Sequence, residues 1–297
     1  MRLTTRFAPS PTGFLHLGHA FAALTAWRRA REAGGIFLLR LEDIDPGRCR
    51  PHFSDAILED LTWLGLDWDG AVRVQSAHLP EYAAVIDRLA RRGLLYPCFC
   101  TRSDIRAAAG APHDLENAPV YPGTCRALSD DARTSRIAAG DAYSLRIDVA
   151  RASFAVGELD FRDGDDRIAC RPTRFGDIVL ARKETPCSYS LCATHDDAVQ
   201  GVTLVTRGLD LRPATDVQRV LQALMGWPVP AYAHHALLTD VSGKRLAKRD
   251  QAATLRDLRA RGVSPAQARA MAGMPDGSPL PAGSGEVSGA TDEGDHR

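Results

Sequence analysis

The first 41 residues leave few folds open, because they read as strand, turn, helix and strand in immediate succession. Residues 3–7 suit a short buried strand, and Pro9-Ser10-Pro11-Thr12-Gly13 ends it with two prolines and a glycine. Leu17, Ala20, Phe21, Leu24 and Trp27 then recur at helical spacing, and Gly34-Gly35 stops that helix. Residues 36–41, Ile-Phe-Leu-Leu-Arg-Leu, read as a strand buried in a parallel sheet. A strand–helix–strand unit implies a parallel sheet, and such a sheet gathers ligands at the carboxyl ends of its strands. The expected fold class is therefore α/β, built on a Rossmann-type parallel sheet.

Beyond this unit, helices are expected over 53–64, through 82–89, and over 216–225, 254–261 and 265–271. Strands are expected at 177–180 and 202–206. Residues 98–171 are turn-rich and lack long periodic stretches, as in an insertion between two halves of a sheet. The expected division is 1–97 and 172–250 for the two halves of the parallel-sheet domain, and 98–171 for the insertion. A short helical region covers 251–275. The tail, 276–297, is rich in Gly, Ser, Pro and acids and is expected to be disordered. In the whole chain 37 Lys+Arg balance 37 Asp+Glu, so net charge advertises no nucleic-acid partner, although a local basic face suffices to bind one. No apolar run of membrane-crossing length and no export signal are present, which makes the cytosol the expected compartment. The seven cysteines are then not expected to form a disulfide framework, and nothing demands more than a monomer.

The proline–glycine turn is a phosphate site in outline. Backbone N–H groups and the positive end of a helix meet there, His16 and His19 bring ring donors, and Gly18 lets a flat ring approach the backbone. Arg6 and Glu42 end adjacent strands and should face one crevice, and Arg207 ends the strand at 202–206. Two arginines can clasp a carboxylate, and a glutamate with a tyrosine hydroxyl can hold an ammonium; an acidic amino acid presents both groups. Singly, each of these residues reads as a structural ion pair or a solvated charge. Cys98-Phe99-Cys100 with Tyr121 and Cys125 offers three thiols and a phenol, enough to close a tetrahedral zinc site or to remain free thiols beside a packed aromatic. Cys49, Cys170, Cys187 and Cys192 read as small buried hydrophobes, and Trp63 and Trp68 as core or near-core. His234-His235, with His52, His78, His113 and His195, read as loop surface. The basic run Gly243-Lys244-Arg245-Leu246-Ala247-Lys248-Arg249 has the charge to meet an α-phosphate and a departing pyrophosphate.

Taken together, these segments resemble the class I aminoacyl-tRNA synthetases, and the glutamyl branch in particular, over roughly residues 2–275. The run from Arg6 to His19 is similar to their His-Ile-Gly-His signature. Ser188-Tyr189-Ser190-Leu191, Asp196-Asp197 and Thr206-Arg207-Gly208 follow in the order of their second block, and the basic run resembles their Lys-Met-Ser-Lys-Ser loop. The resemblance implies that Arg6, Ala8, Ser10, Glu42, Tyr189 and Arg207 hold glutamate. It implies that Pro9, His16, Gly18, His19, Arg245 and Lys248 bind ATP, with His16, His19 and Lys248 catalytic and magnesium accompanying ATP. Arg245 in the first lysine position and Ala247 in place of serine depart from the family pattern, keeping the charge and losing one hydroxyl contact.

The set Cys98, Cys100, Tyr121 and Cys125 is similar to the zinc site of the glutamyl-queuosine tRNA(Asp) synthetases. It implies one structural zinc per chain, bracing the insertion. The few dozen residues after Lys248 are too few for the helical anticodon-binding region of the enzymes that charge tRNA(Glu). A member of the queuosine family is expected to activate L-glutamate with ATP as glutamyl-adenylate. It then transfers the glutamyl group to queuosine in the anticodon stem-loop of tRNA(Asp). Two other readings stay open at this point: a shortened glutamyl-tRNA synthetase charging a tRNA 3′ end, and a non-catalytic paralogue that binds glutamate or adenylate.

Overall fold

The computed structural model describes residues 2–101, 103–105, 120–182, 186–237 and 253–277. Strand β1 (Thr4–Phe7), helix α1 (Leu17–Glu32) and strand β2 (Ile36–Leu41) form the expected unit, with β1 and β2 parallel from Thr4 opposite Ile36 to Phe7 opposite Leu39. The turn into β2 needs a glycine at 35, since a Cβ there would lie 2.4 Å from the Leu3 carbonyl oxygen. Helix α2 (Pro51–Trp63) starts on a proline, which supplies helical φ without wasting an N–H group. It leads to the two-residue strand β3 (Arg73–Val74), parallel to β2. Helix α3 (Leu79–Arg91) follows, burying Tyr82, Val85, Ile86 and Leu89 along one stripe.

Next come β4 (Leu95–Cys98), α4 (Asp130–Ala138), β5 (Ser144–Ile147), α5 (Val149–Val156), β6 (Asp160–Asp163), β7 (Asp166–Ala169) and β8 (Val179–Arg182). The chain continues through α6 (Tyr189–Val199), β9 (Leu204–Gly208), α7 (Ala214–Met225) and β10 (Ala231–His235), and ends its described part with α8 (Leu255–Ala260) and α9 (Pro265–Met271). Strands β9 and β10 are parallel, from Leu204 opposite Ala231 to Gly208 opposite His235. A backbone hydrogen bond from Thr203 N to Thr4 O (2.9 Å) sets β9 beside β1 and joins the two halves of the parallel sheet. Glu42 and Arg207 consequently stand at the carboxyl ends of strands that point the same way.

Segment 98–171 holds more regular structure than its composition advertises. Its elements are four to nine residues long, too short to display a period. Strands β4, β5 and β8 form a separate antiparallel sheet, whereas the β6–β7 hairpin joins the main sheet, with Asp163 of β6 opposite Tyr232 of β10. One core lies between α1 and the first strands. It includes Leu24, Phe37, Leu39, Ile57 and Leu61, and α8 and α9 complete it with Leu255, Leu258 and Ala268. Burying each such aliphatic side chain contributes about 1.5–3 kcal/mol. Trp63 and Trp68 pack against this core half-buried, as expected. A second core sits among α3, α6, α7 and the small sheet.

Several expectations for single residues need correcting. His234 and His235 are not loop surface but the last residues of β10, both buried, and His195 is buried in α6. Each has at least one polar partner, and such partners leave no local trace in sequence, although the His235 Nε2 has none among the described residues. His78 is half-buried and His52 exposed, while His113 lies outside the described residues. Of the four scattered cysteines, Cys187 and Cys192 are buried, but Cys49 and Cys170 are only partly so. No helix among the described residues is long and apolar enough to cross a membrane.

Candidate active site

The turn after β1 presents nitrogen donors in a fixed arrangement. His16 is the N-cap of α1, and its Nδ1 accepts a hydrogen bond from Gly18 N (3.1 Å). The backbone N of His16 in turn donates to His19 Nδ1 (3.2 Å), giving a capping box made of two histidines. In a neutral imidazole with Nδ1 accepting, the proton sits on Nε2. Both rings therefore carry an Nε2–H donor at the positive end of α1, with centroids 3.9 Å apart. Gly18 permits this fold-back, because a Cβ there would stand 3.0 Å from His16 Cε1. Pro9 is buried and holds the turn against the next strand end, its carbonyl accepting from Glu42 N (3.0 Å). Ala8 is half-buried beside it, and Ser10 is exposed.

A cavity of about 210 Å³ opens next to this turn, lined among others by Ser10, Thr12, Glu42, Gln75, Cys187 and Tyr189. Glu42 is 7% exposed; burial pushes its carboxyl up to about 7, against the pull of Arg40 and Arg6. Tyr189 keeps 36% of its surface exposed, while burial of its phenol end raises its pKa. That phenol lies within electrostatic reach of Arg207, Glu42, Arg6 and Asp197, so the residues expected to share one crevice do converge.

The two arginines are placed differently. Arg6 is buried on Asp197, donating from Nε to Oδ1 (2.9 Å) and from Nη2 to Oδ2 (3.3 Å), with Nη1 on Thr206 O (3.3 Å). Arg207 donates from Nε to His234 Nε2 (3.1 Å) and from Nη2 to Thr215 Oγ1 (2.6 Å). Its buried Nη1 has no hydrogen-bond partner among the described residues. His234 is held from behind by Asp163, whose Oδ2 lies 3.0 Å from Nδ1, and burial keeps the ring below its ordinary pKa. A neutral His234 with its proton on Nδ1 satisfies both contacts. The sequence places His234 on a loop surface, and the signal for its strand is the short run after Pro228 and Pro230, two strand-starting breakers.

The basic run with Arg245 and Lys248 lies outside the described residues. Its flanks do not: the His235 ring sits edge-on to Phe21 at 4.8 Å, and Thr254 bridges His16, with Leu255 N donating to Leu15 O (2.8 Å). The chain thus leaves the described structure beside α1 and re-enters it beside the signature turn.

At the far end of β4, the Sγ atoms of Cys98, Cys100 and Cys125 all lie within 4.8 Å of one another. Cys100 Sγ is 3.4 Å from Cys125 Sγ and 3.8 Å from the Tyr121 hydroxyl, which accepts a hydrogen bond from Cys125 N (2.7 Å). The Arg146 guanidinium stands 3.9 Å over the Tyr121 ring. The four expected residues therefore form one cluster. Glu81, His195 and Asp196 also approach one another, but Arg73, Gln75 and Tyr82 already occupy the Asp196 carboxylate.

The family described as tRNA synthetases class I (E and Q), catalytic domain, matches residues 2–272. The chain is 49% identical to the glutamyl-Q tRNA(Asp) synthetase of Rhodobacter capsulatus over 92% of its own length and 100% of that protein. It is 45% identical to the enzyme of the same name from Symbiobacterium thermophilum, over 89% of this chain and 83% of the other. In structure it resembles a glutamate-tRNA synthetase from Elizabethkingia anophelis, with a TM-score of 0.71 and 26% identity; the match covers 84% of this chain and about half (53%) of that one.

Proposed function

The chain belongs to the class I tRNA synthetases of the glutamate and glutamine branch, in the group of the glutamyl-Q tRNA(Asp) synthetases, and on that premise we propose that it activates L-glutamate with ATP and transfers it to queuosine in tRNA(Asp). In the first step an oxygen of the glutamate α-carboxylate attacks the α-phosphorus of ATP, and pyrophosphate leaves. In the second, a hydroxyl of the queuosine cyclopentene-diol attacks the activated carbonyl, giving up its proton as AMP leaves. The first step needs no elaborate acid–base machinery, because its nucleophile is already an anion.

The observation that carries this reading is a pair of opposite, buried charges within electrostatic reach of the Tyr189 phenol, with Glu42 and Tyr189 lining one small pocket. The Nη1 of Arg207, which has no hydrogen-bond partner among the described residues, suits a carboxylate, and Glu42, with Tyr189, suits an ammonium. Arg6, Ala8 and Ser10 complete the amino-acid side of the site. On the nucleotide side, Pro9 and Gly18 shape the turn, and the Nε2–H groups of His16 and His19 meet phosphate oxygens at the helix end. Arg245 and Lys248 would supply charge to the α-phosphate and the leaving pyrophosphate. Magnesium enters with the ATP phosphates. Glutamate-dependent ATP–pyrophosphate exchange without any RNA tests this step. Exchange with glutamate, and little with aspartate or glutamine, is the expected result; no exchange with any of them would make the chain a binding paralogue.

The thiol cluster fits a structural zinc ion. Zinc–thiolate bonds of about 2.3 Å place tetrahedral sulfurs about 3.8 Å apart, close to the spacings found. Cys98, Cys100, Cys125 and Tyr121 would hold the ion. Bound there, it would tie β4 to the turn Thr124–Ala127, beside the small cluster of Tyr96, Phe99 and Leu128. Purified protein should contain about one zinc per chain, and Cys125→Ser should lose it with a fall in Tm of about 5–10 °C. Metal-free wild-type protein with an unaltered Tm would contradict this assignment.

A further inference from the structure

Behind the pocket lies a row of buried charges that amino-acid binding alone does not account for. Arg40 is fully buried (0% exposed) in β2, two residues before Glu42 and so on the same face of the strand. Its Nη2 lies 2.9 Å from Asp197 Oδ1 and 3.4 Å from Glu42 Oε1, and its Nη1 donates to Gln200 Oε1 (2.9 Å). Asp197 Oδ1 also accepts from Arg6 Nε (2.9 Å), so one carboxylate oxygen joins two guanidinium groups. Charges alternate along the row Glu42–Arg40–Asp197–Arg6, which crosses β2, α6 and β1.

We propose that Arg40 and Asp197 are positioning residues for amino-acid recognition, fixing the Glu42 carboxylate and the Arg6 guanidinium so that both reach the substrate correctly placed and charged. The inference rests on the pocket being the glutamate site.

Stability does not explain the row. Desolvating buried ion pairs costs about what their attraction returns, and apolar residues of equal volume serve a fold as well. An apolar residue at 40 would not hold Glu42 ionised. The groups that act on this carboxyl are Arg40 and Arg6, which favour its charge, and Asp197 and Asp196, which oppose it. Tyr189 and Cys192 of α6 also face it, and the Cys49 thiol meets its backbone carbonyl. Burial already places Glu42 at about 7, with Arg40 as the strongest of the favourable charges. Removing that charge raises the carboxyl further, and a protonated Glu42 no longer attracts an ammonium. Asp197 itself is pulled up by burial but held below the ordinary carboxylate range by Arg6 and Arg40, so it stays an anion through neutral pH.

The test is the pH profile of the glutamate KM in ATP–pyrophosphate exchange, with the ATP KM and kcat recorded alongside. In the wild type the binding-competent Glu42 is ionised, so the glutamate KM should fall as pH rises towards about 7 and level off above it. For Arg40→Met that levelling should move up by at least about one pH unit, with the glutamate KM raised at least about fivefold at pH 7 and the gap narrowing at pH 8.5. The ATP KM should stay within about twofold. Arg40→Lys keeps the charge without the fork. It should retain the wild-type break while raising the glutamate KM a few-fold, and it carries the test if Arg40→Met does not fold. Asp197→Asn should raise the glutamate KM without moving the ATP KM. A folded Arg40→Met with the wild-type KM and break, or an Arg40→Lys with an unchanged glutamate KM, overturns the proposal. So does a variant that loses kcat, ATP affinity and glutamate affinity in equal proportion. Wild-type protein that activates no glutamate defeats the reading of the pocket instead.

Discussion

Arg207→Ala should raise the glutamate KM of ATP–pyrophosphate exchange about 10²- to 10³-fold while leaving the ATP KM nearly unchanged. Truncating one side of a desolvated charge pair costs about 2–5 kcal/mol, and each 1.4 kcal/mol is about a factor of ten. Arg207 is suited to such a loss because two of its nitrogens are held by His234 and Thr215, which leaves Nη1 aimed by the protein rather than by the ligand. Arg207→Lys should recover little, since an ammonium cannot span His234 and Thr215 and still present a third donor. Both variants leave His234 Nε2 without its guanidinium, so circular dichroism must accompany the kinetics. A folded Arg207→Ala with the wild-type glutamate KM would remove Arg207 from the binding site.

The second large effect is expected at Lys248. Lys248→Ala should lower the kcat of exchange about 10²- to 10³-fold, the usual consequence of deleting one donor aimed at developing charge, with the glutamate KM little changed. The flanks of the basic run support this role, since Thr254 bridges His16 at the signature turn and His235 packs on Phe21 of α1. A kcat within about twofold of wild type would refute it.

What the sequence made legible was whatever is written locally. The strand–turn–helix–strand opening, the helix ends at Gly34-Gly35 and the histidine pair at the head of α1 follow from periodicity and turn chemistry within a few residues. Arg207 and Glu42 were readable because each ends a strand. Their supports were not. Arg6 meets Asp197 across 191 residues, and Arg207 meets His234 across 27, contacts that no period announces. Arg40 was hidden for a different reason: in the run Ile36–Leu41 a single arginine looks like an interruption of an apolar strand, when it is the charge that Glu42 leans on. His234 was misplaced on a surface because two adjacent histidines look polar, whereas Asp163 and Arg207 satisfy the first and the Ala236 carbonyl contacts the second. Segment 98–171 was underread because its strands are four residues long.

The most direct test of the account is a transfer assay. It uses the protein, ATP, magnesium and labelled glutamate, with tRNA(Asp) prepared with and without queuosine and with tRNA(Glu) alongside. Label that appears only on the queuosine-containing tRNA(Asp) is the predicted result. Label on tRNA(Glu), or equally on both preparations of tRNA(Asp), would contradict it and make the chain an enzyme that charges a tRNA 3′ end.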